Sequence, residues 1–166
     1  MATTITQPLE LLLTELQSML YVERKLADEV LPELVSQTAN GELKQDLQEH
    51  IEETKRHAAN LERIFELHGQ EPKADKSHAI DGLVAQHDKI VKHIESAELR
   101  DIFNAGAAAK TEHLEIAAYE GMITTAEALA DDETASLLEE NLDEEKQALK
   151  KAEKASEQLT RETATI

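Results

Sequence analysis

PLELLLTELQSMLYVERKLADEV, residues 8–30, decides how the chain is read. Leu9, Leu12, Leu16, Met19, Leu26 and Val30 recur every three or four residues, the repeat of a helix with one apolar face. Glu23 falls inside that stripe. A carboxylate taken out of water is costly unless it is protonated, paired or bound to a cation. The same interruption returns downstream. Glu53 lies between His50 and His57 on a second stripe, and Glu112 and Glu115 share a face with Ala108, Tyr119 and Met122. The pair Glu144-Glu145 interrupts Leu138, Leu142 and Leu149. Acids converging from four helices, with few cations beside them, point to a metal.

Outward from that stretch, Pro8 opens a first helix expected over Pro8 to Thr38, with Pro32 kinking it or ending its regular part near Leu31. Asn40-Gly41 signals a turn, and a second helix is expected from Glu42 to His68, stopped by Gly69 and Pro72. The segment Gln70 to Ser77 reads as loop. A short helix follows, His78 to Ser96, with Ile80, Leu83, Ile90 and Ile94 on its apolar face. A long helix spans Leu99 to Ala130, Asp131-Asp132 caps the last one, Glu133 to Leu159, and the tail from Thr160 is expected to fray. Two long hairpins with a short helix between them make an all-α four-helix bundle, one domain over residues 1–166 with its core at about 8–160. An internal echo supports the pairing. His50-Ile51-Glu52-Glu53-Thr54-Lys55 returns as Asn141-Leu142-Asp143-Glu144-Glu145-Lys146, with Leu47 matching Leu138.

Composition agrees and excludes alternatives. Ala, Leu, Glu and Lys dominate, Gly and Pro are scarce, and Tyr21, Phe65, Phe103 and Tyr119 are the only Tyr, Phe or Trp residues. With 35 acidic against 17 basic residues the net charge is −18, a field that repels phosphate backbones, so no nucleic-acid partner is expected. Cysteine is absent, which removes disulfides, thiolate metal sites and thiol nucleophiles. No apolar run reaches the length of a membrane span and the N-terminal residues have no basic flank, so a cytoplasmic protein without membrane contact is expected. There is no glycine-rich phosphate loop and no nucleophile elbow. Paired acids for glycoside cleavage would want an aromatic groove that this chain cannot line.

Iron and manganese take carboxylate and imidazole ligands, and two such ions close together need shared carboxylates to offset their repulsion. A bundle builds this with one glutamate from each of two helices and a glutamate–histidine pair from each of the others. Here Glu23 comes from the first helix, and Glu53 from the second with His50 before it and His57 after it. Glu112 and Glu115, three apart on one helix, project together, and Glu144 or Glu145 completes the set. Glu23 to Glu53 and Glu115 to Glu145 are both separated by 30 positions. The echo selects Glu144; the apolar stripe selects Glu145. Tyr119 is read as core, with a hydrogen bond to a ligand carboxylate as the sharper alternative. Most other acids are read as solvated helix faces, and His68, His78, His87 and His93 as surface residues.

The segments Tyr21-Val22-Glu23-Arg24-Lys25-Leu26, His50-Ile51-Glu52-Glu53-Thr54, Glu112-His113-Leu114-Glu115-Ile116-Ala117-Ala118-Tyr119 and Leu142-Asp143-Glu144-Glu145-Lys146 resemble the YciF/YciE group of ferritin-like proteins, over about Leu9 to Leu159. The resemblance implies a rubrerythrin-like bundle with a dinuclear centre, a homodimer and a link to bacterial stress. It carries over Glu23, His50, Glu53, Glu112, Glu115 and one of Glu144 and Glu145, Glu144 by the echo, as candidate ligands of two metal ions, iron first and manganese second. No settled reaction comes with the resemblance; a carboxylate-rich site leaves open positions for a small oxidant, so an oxidase- or peroxidase-type reaction with oxygen or peroxide, or sequestration of metal, is expected. The chain departs from the ferritin pattern at Arg56, which stands where a histidine would follow Glu53 by three, and at Leu149, where some relatives have an acid. A metal-free bundle serving as a structural or interaction module is the alternative, and a storage cage is disfavoured by the short helix in the crossover.

Overall fold

A computed structural model of the protein describes residues 4–164, and every regular element among them is helical. Helix α1 (Pro8–Lys25) begins with proline in its first turn, and the Gln7 N–H donates to Glu10 Oε2 at 3.1 Å. A single π-helical turn, Leu26–Val30, then leads without a break into α2 (Leu31–Gln37). Its signature is the Leu31 N–H, which donates to Leu26 O five residues back. Pro32 has no N–H and its ring would press on the carbonyl four residues earlier; a widened turn just before it accommodates both. The irregularity expected at Pro32 is therefore present, one turn earlier and without ending the helix.

Helix α3 (Gly41–Leu67) is capped by Asn40, whose Oδ1 accepts from Leu43 N–H at 2.9 Å. The chain leaves it through Gly69, at φ 65, a left-handed conformation that glycine adopts without a Cβ clash. The loop that follows is pinned to α1 by Asp75 N–H on Gln17 O at 2.9 Å. Helix α4 (His78–Val91) ends several residues before the expected Ser96 and lies across α5. Helix α5 (Ala97–Ala128) and helix α6 (Asp132–Ala164) form the second hairpin. As expected, the acids between them cap α6: Asp131 Oδ1 accepts from Thr134 N–H at 3.2 Å. The expected fraying from Thr160 is not seen; α6 runs on to Ala164.

α1 packs on α3 and α5, and α6 packs on the same two, so α1 faces α6 across the bundle and α3 faces α5. The heights of the layers follow from the sequence. Leu16, Ile64, Met122 and Leu138 are buried, and each stands seven residues from Glu23, His57, Glu115 and Glu145 respectively. Seven residues are two turns, about 10 Å of helix, so these four form one apolar layer to one side of the acids. Leu43, Ala105 and Ala152 stand seven residues from His50, Glu112 and Glu145 on the other side. The matching residue on the first helix is Leu31, eight from Glu23, because the π turn shifts the register by one. Val30, expected on the inner stripe, is only half-buried for that reason, while Leu31 is buried.

Candidate metal centre

Between the two apolar layers lie Glu23, His50, His57, Glu112, Glu115 and Glu145, all buried. They supply two overlapping triads, Glu23–His57–Glu145 and His50–Glu112–Glu145, each with ligand atoms within 4.8 Å of one another. His57 Nδ1 is 2.8 Å from Glu145 Oε1 and 3.7 Å from Glu23 Oε2. His50 Nε2 is 3.3 Å from Glu112 Oε1 and 3.6 Å from Glu145 Oε2. One oxygen of Glu145 thus faces each histidine. The nitrogens and oxygens approach one another without making hydrogen bonds. Among the described residues, the buried side-chain polar atoms without a hydrogen-bond partner are Gln37 Oε1 and eight atoms of this cluster. Both oxygens of Glu115 and both of Glu145 are among them. Buried polar groups are almost always partnered, so orphans gathered at one point mark a cluster that could hold a metal ion.

Each histidine is held from behind. His50 turns Nε2 inward and Nδ1 to Glu53 Oε2 at 3.0 Å, while His57 turns Nδ1 inward and Nε2 to Glu144 Oε2 at 2.8 Å. Such outer carboxylates fix the tautomer and orientation of a metal-binding imidazole. Glu53 and Glu144 are partly exposed and stand in neither triad. Of the residues expected in the centre, the structure therefore brings together Glu23, His50, Glu112 and Glu115, and places Glu53 and Glu144 outside as supports. The two positions left open resolve geometrically: His57 joins His50 at the centre, and Glu145 takes the inner place. Glu53 and Glu144 each stand behind a histidine, Glu53 behind His50 on its own helix and Glu144 on α6 behind His57 of α3. Spacing could have found the inner one, because Glu145 follows the buried Leu138 by two full turns and Glu144 does not.

Tyr119 is core, and its hydroxyl is also hydrogen-bonded to an inner carboxylate. Its hydroxyl donates to Glu23 Oε1 and accepts from Asn141 Nδ2 at 3.1 Å. Asn141 also accepts from Asn60 Nδ2 at 2.8 Å and donates to the His57 carbonyl at 3.3 Å, which ties α3, α5 and α6 at this height. His113, by contrast, is exposed and faces Glu153. His68 and His87 are not the surface residues expected. His68 is half-buried with Asp131 at 3.0 Å, and His87 stacks on Phe103 and reaches Asn104 Oδ1 at 2.9 Å.

Crowding perturbs protonation in consistent directions. Burial, then the charges of Glu145, Glu23 and Glu112, push Glu115 well above the usual carboxyl value, and burial with Glu112 does the same to Glu145. Burial would also raise Glu112, but the adjacent His50 outweighs it and leaves Glu112 lowered. Burial would lower His50 and His57; Glu112 and Glu53 for the first, Glu23 and Glu144 for the second, reverse that and raise both. The pocket thus holds extra protons in the absence of another cation.

The family described as "Domain of unknown function (DUF892)" matches residues 7–165. The chain belongs to that family. Protein YciF of Escherichia coli (strain K12) is a DUF892 relative by sequence, 34% identical over 127 residues, which are 76% of this chain and 76% of that protein. The crystal structure of the E. coli stress protein YciF superposes with TM-score 0.88 at 28% identity, covering 95% of this chain and 99% of that one. YcfI from Rhodopseudomonas palustris gives TM-score 0.89 at 33% identity, over 92% of this chain and 97% of that one. These neighbours agree with the all-α, ferritin-like bundle. No helix among the described residues is long and apolar enough to cross a membrane.

Proposed function

We propose that this DUF892 protein holds two divalent transition-metal ions, iron or manganese, at the centre of its bundle. The observation that carries the reading is Glu145, buried and without hydrogen bonds, offering one oxygen to each of two Glu–His pairs. Glu23 and His57 would hold one ion, His50 and Glu112 the other, and Glu145 would bridge them. Glu115, with two free oxygens alongside, is a further donor. Imidazole and carboxylate suit these metals, and a pair of cations relieves the repulsion among four buried acids. When bound, such ions supply electrons to oxygen or peroxide, the oxidase- or peroxidase-type role that fits a relative named a stress protein. The protein's part is to exclude water with the apolar layers, fix both imidazoles through Glu53 and Glu144, and hold Glu23 through the Tyr119 hydroxyl. A cytoplasmic homodimer completes the proposal.

The test is anaerobic titration of metal-stripped protein with iron(II) or manganese(II), read by calorimetry and by elemental analysis after gel filtration. Two ions per chain are expected, with loss of both high-affinity sites in Glu145→Gln. Glu144→Gln should keep the stoichiometry and weaken binding by about 10–100-fold. A stripped protein that binds neither metal, and whose melting temperature neither metal moves, would favour the metal-free module instead.

A further inference from the structure

Ions bound between two apolar layers need a way in, and the bundle wall is thin at one place. A cavity of about 20 Å³ lies in the seam where α3, α5 and α6 meet. Its inner wall is His50 and Glu112, and its outer wall includes Asp46, Glu53 and Lys151. Alanines at 108, 148 and 152 leave the space open where larger side chains would fill it. That volume holds about one water molecule, the size of an ion stripped of most of its shell. Beside it, toward Asn40 and Leu159, lies a wider hollow of about 220 Å³, which shares Leu43, Asp46 and Lys151 with it. Asp46 and Lys151 therefore stand at the neck where the two adjoin. Lys151 Nζ is 3.3 Å from Glu49 Oε2 and 3.6 Å from Asp46 Oδ1.

The neck alone would be a solvated acidic patch. What points it at a ligand is the inner wall, where His50 Nε2 and Glu112 Oε2 are buried and unpartnered. We propose that divalent cations reach the buried cluster through this α3–α6 seam, passing from Asp46 to Glu53 and on to His50 and Glu112, with the Lys151 ammonium as the gate. The inference rests on the dinuclear reading above. An arriving cation competes with Lys151 for Asp46 and Glu49, and its charge repels the ammonium held there. Glu53, partly exposed on one side and hydrogen-bonded to His50 on the other, makes the handover. With the site full, Lys151 returns and closes the neck.

Stopped-flow loading of the metal-stripped full chain with cobalt(II), followed by visible absorption, tests this. Lys151→Met should speed loading and Asp46→Asn slow it, each on the order of ten-fold, with the final number of ions unchanged. Lys146→Met is the control for net charge, since Lys146 lies on the same helix but pairs with Glu120, and its loading rate should match wild type. Loading at the wild-type rate in both neck variants overturns the route while the dinuclear reading survives. Equal acceleration in Lys146→Met also overturns the gate, because the effect would then be one of overall charge. Failure of the wild-type protein to bind cobalt(II) would remove the centre itself, a different result from either.

Discussion

Glu115 is fully buried, and neither of its oxygens has a partner. Without metal, the carboxylate form there is opposed by burial and by three neighbouring acids. Glu115→Gln keeps the shape and removes the charge, so it should stabilise the metal-free protein at pH 8 by on the order of 1–3 kcal/mol, measured by urea unfolding. The same change should reduce the gain in melting temperature that metal brings, and a variant that leaves both quantities at wild-type values would contradict the role given to this side chain. At this scale the sequence was readable wherever an acid interrupted an apolar repeat, as at Glu23, Glu112 and Glu115. It did not separate Glu53 and Glu144, which stand partly exposed behind the histidines, from the buried set: the internal echo selected Glu144 where the apolar stripe selected Glu145. Burial, and which histidine nitrogen each carboxylate meets, separate inner from outer.

The elements were legible to within a few residues, because caps and breakers act locally. Asn40-Gly41, Gly69 and Asp131 each stand where a helix starts or stops. The π turn was not legible. It follows from a conflict between a proline and a helix that packing will not let end, and its effect, moving the inner position from Val30 to Leu31, arises only when α1 must match its neighbours. Asp101 was missed for a related reason, since its partners are distant in sequence. From α5 its two oxygens accept the Ala39 and Asn40 N–H groups, at 2.8 and 2.7 Å, and so anchor the turn between α2 and α3. Asp101→Ala would strand both donors beside a helix start. It should cost about 2–4 kcal/mol in denaturant unfolding and leave the number of bound ions unchanged. A loss below about 0.5 kcal/mol, the range of ordinary surface changes, would show that the turn holds without it.

For the whole molecule, the raised carboxyls and imidazoles of the cluster shape how metal-free stability follows pH between acid and neutrality. Glu115 and Glu145 titrate above their unfolded value of 4.5. Their favourable contribution is complete below 4.5 and is lost as pH climbs through the folded values. His50 and His57, raised above 6.5, likewise contribute fully below 6.5 and lose that contribution as pH rises further. Glu112, lowered below 4.5, has the opposite sign and withdraws its contribution in acid. The stripped protein should therefore be most stable in mildly acidic solution and lose melting temperature as pH rises through neutrality. A bound cation would take the place of those protons, so the stabilisation it adds should grow over the same interval. Melting curves from pH 5 to 9, with and without manganese(II), check both slopes; parallel curves would mean that the cluster and the cation do not compete.

Glu145 and Lys151 stand six residues apart on α6, which runs unbroken from Asp132 to Ala164. About 9 Å of rigid rod therefore fixes the Glu145 carboxylate relative to Lys151. That helix cannot swing aside at Lys151 without carrying Glu145 with it. Opening of the neck would come from rotation about the bonds of one long side chain rather than from collective helix motion. The scaffold can then stay as still as its packed layers suggest, while the two ion pairs that Lys151 must leave set how often the neck is open.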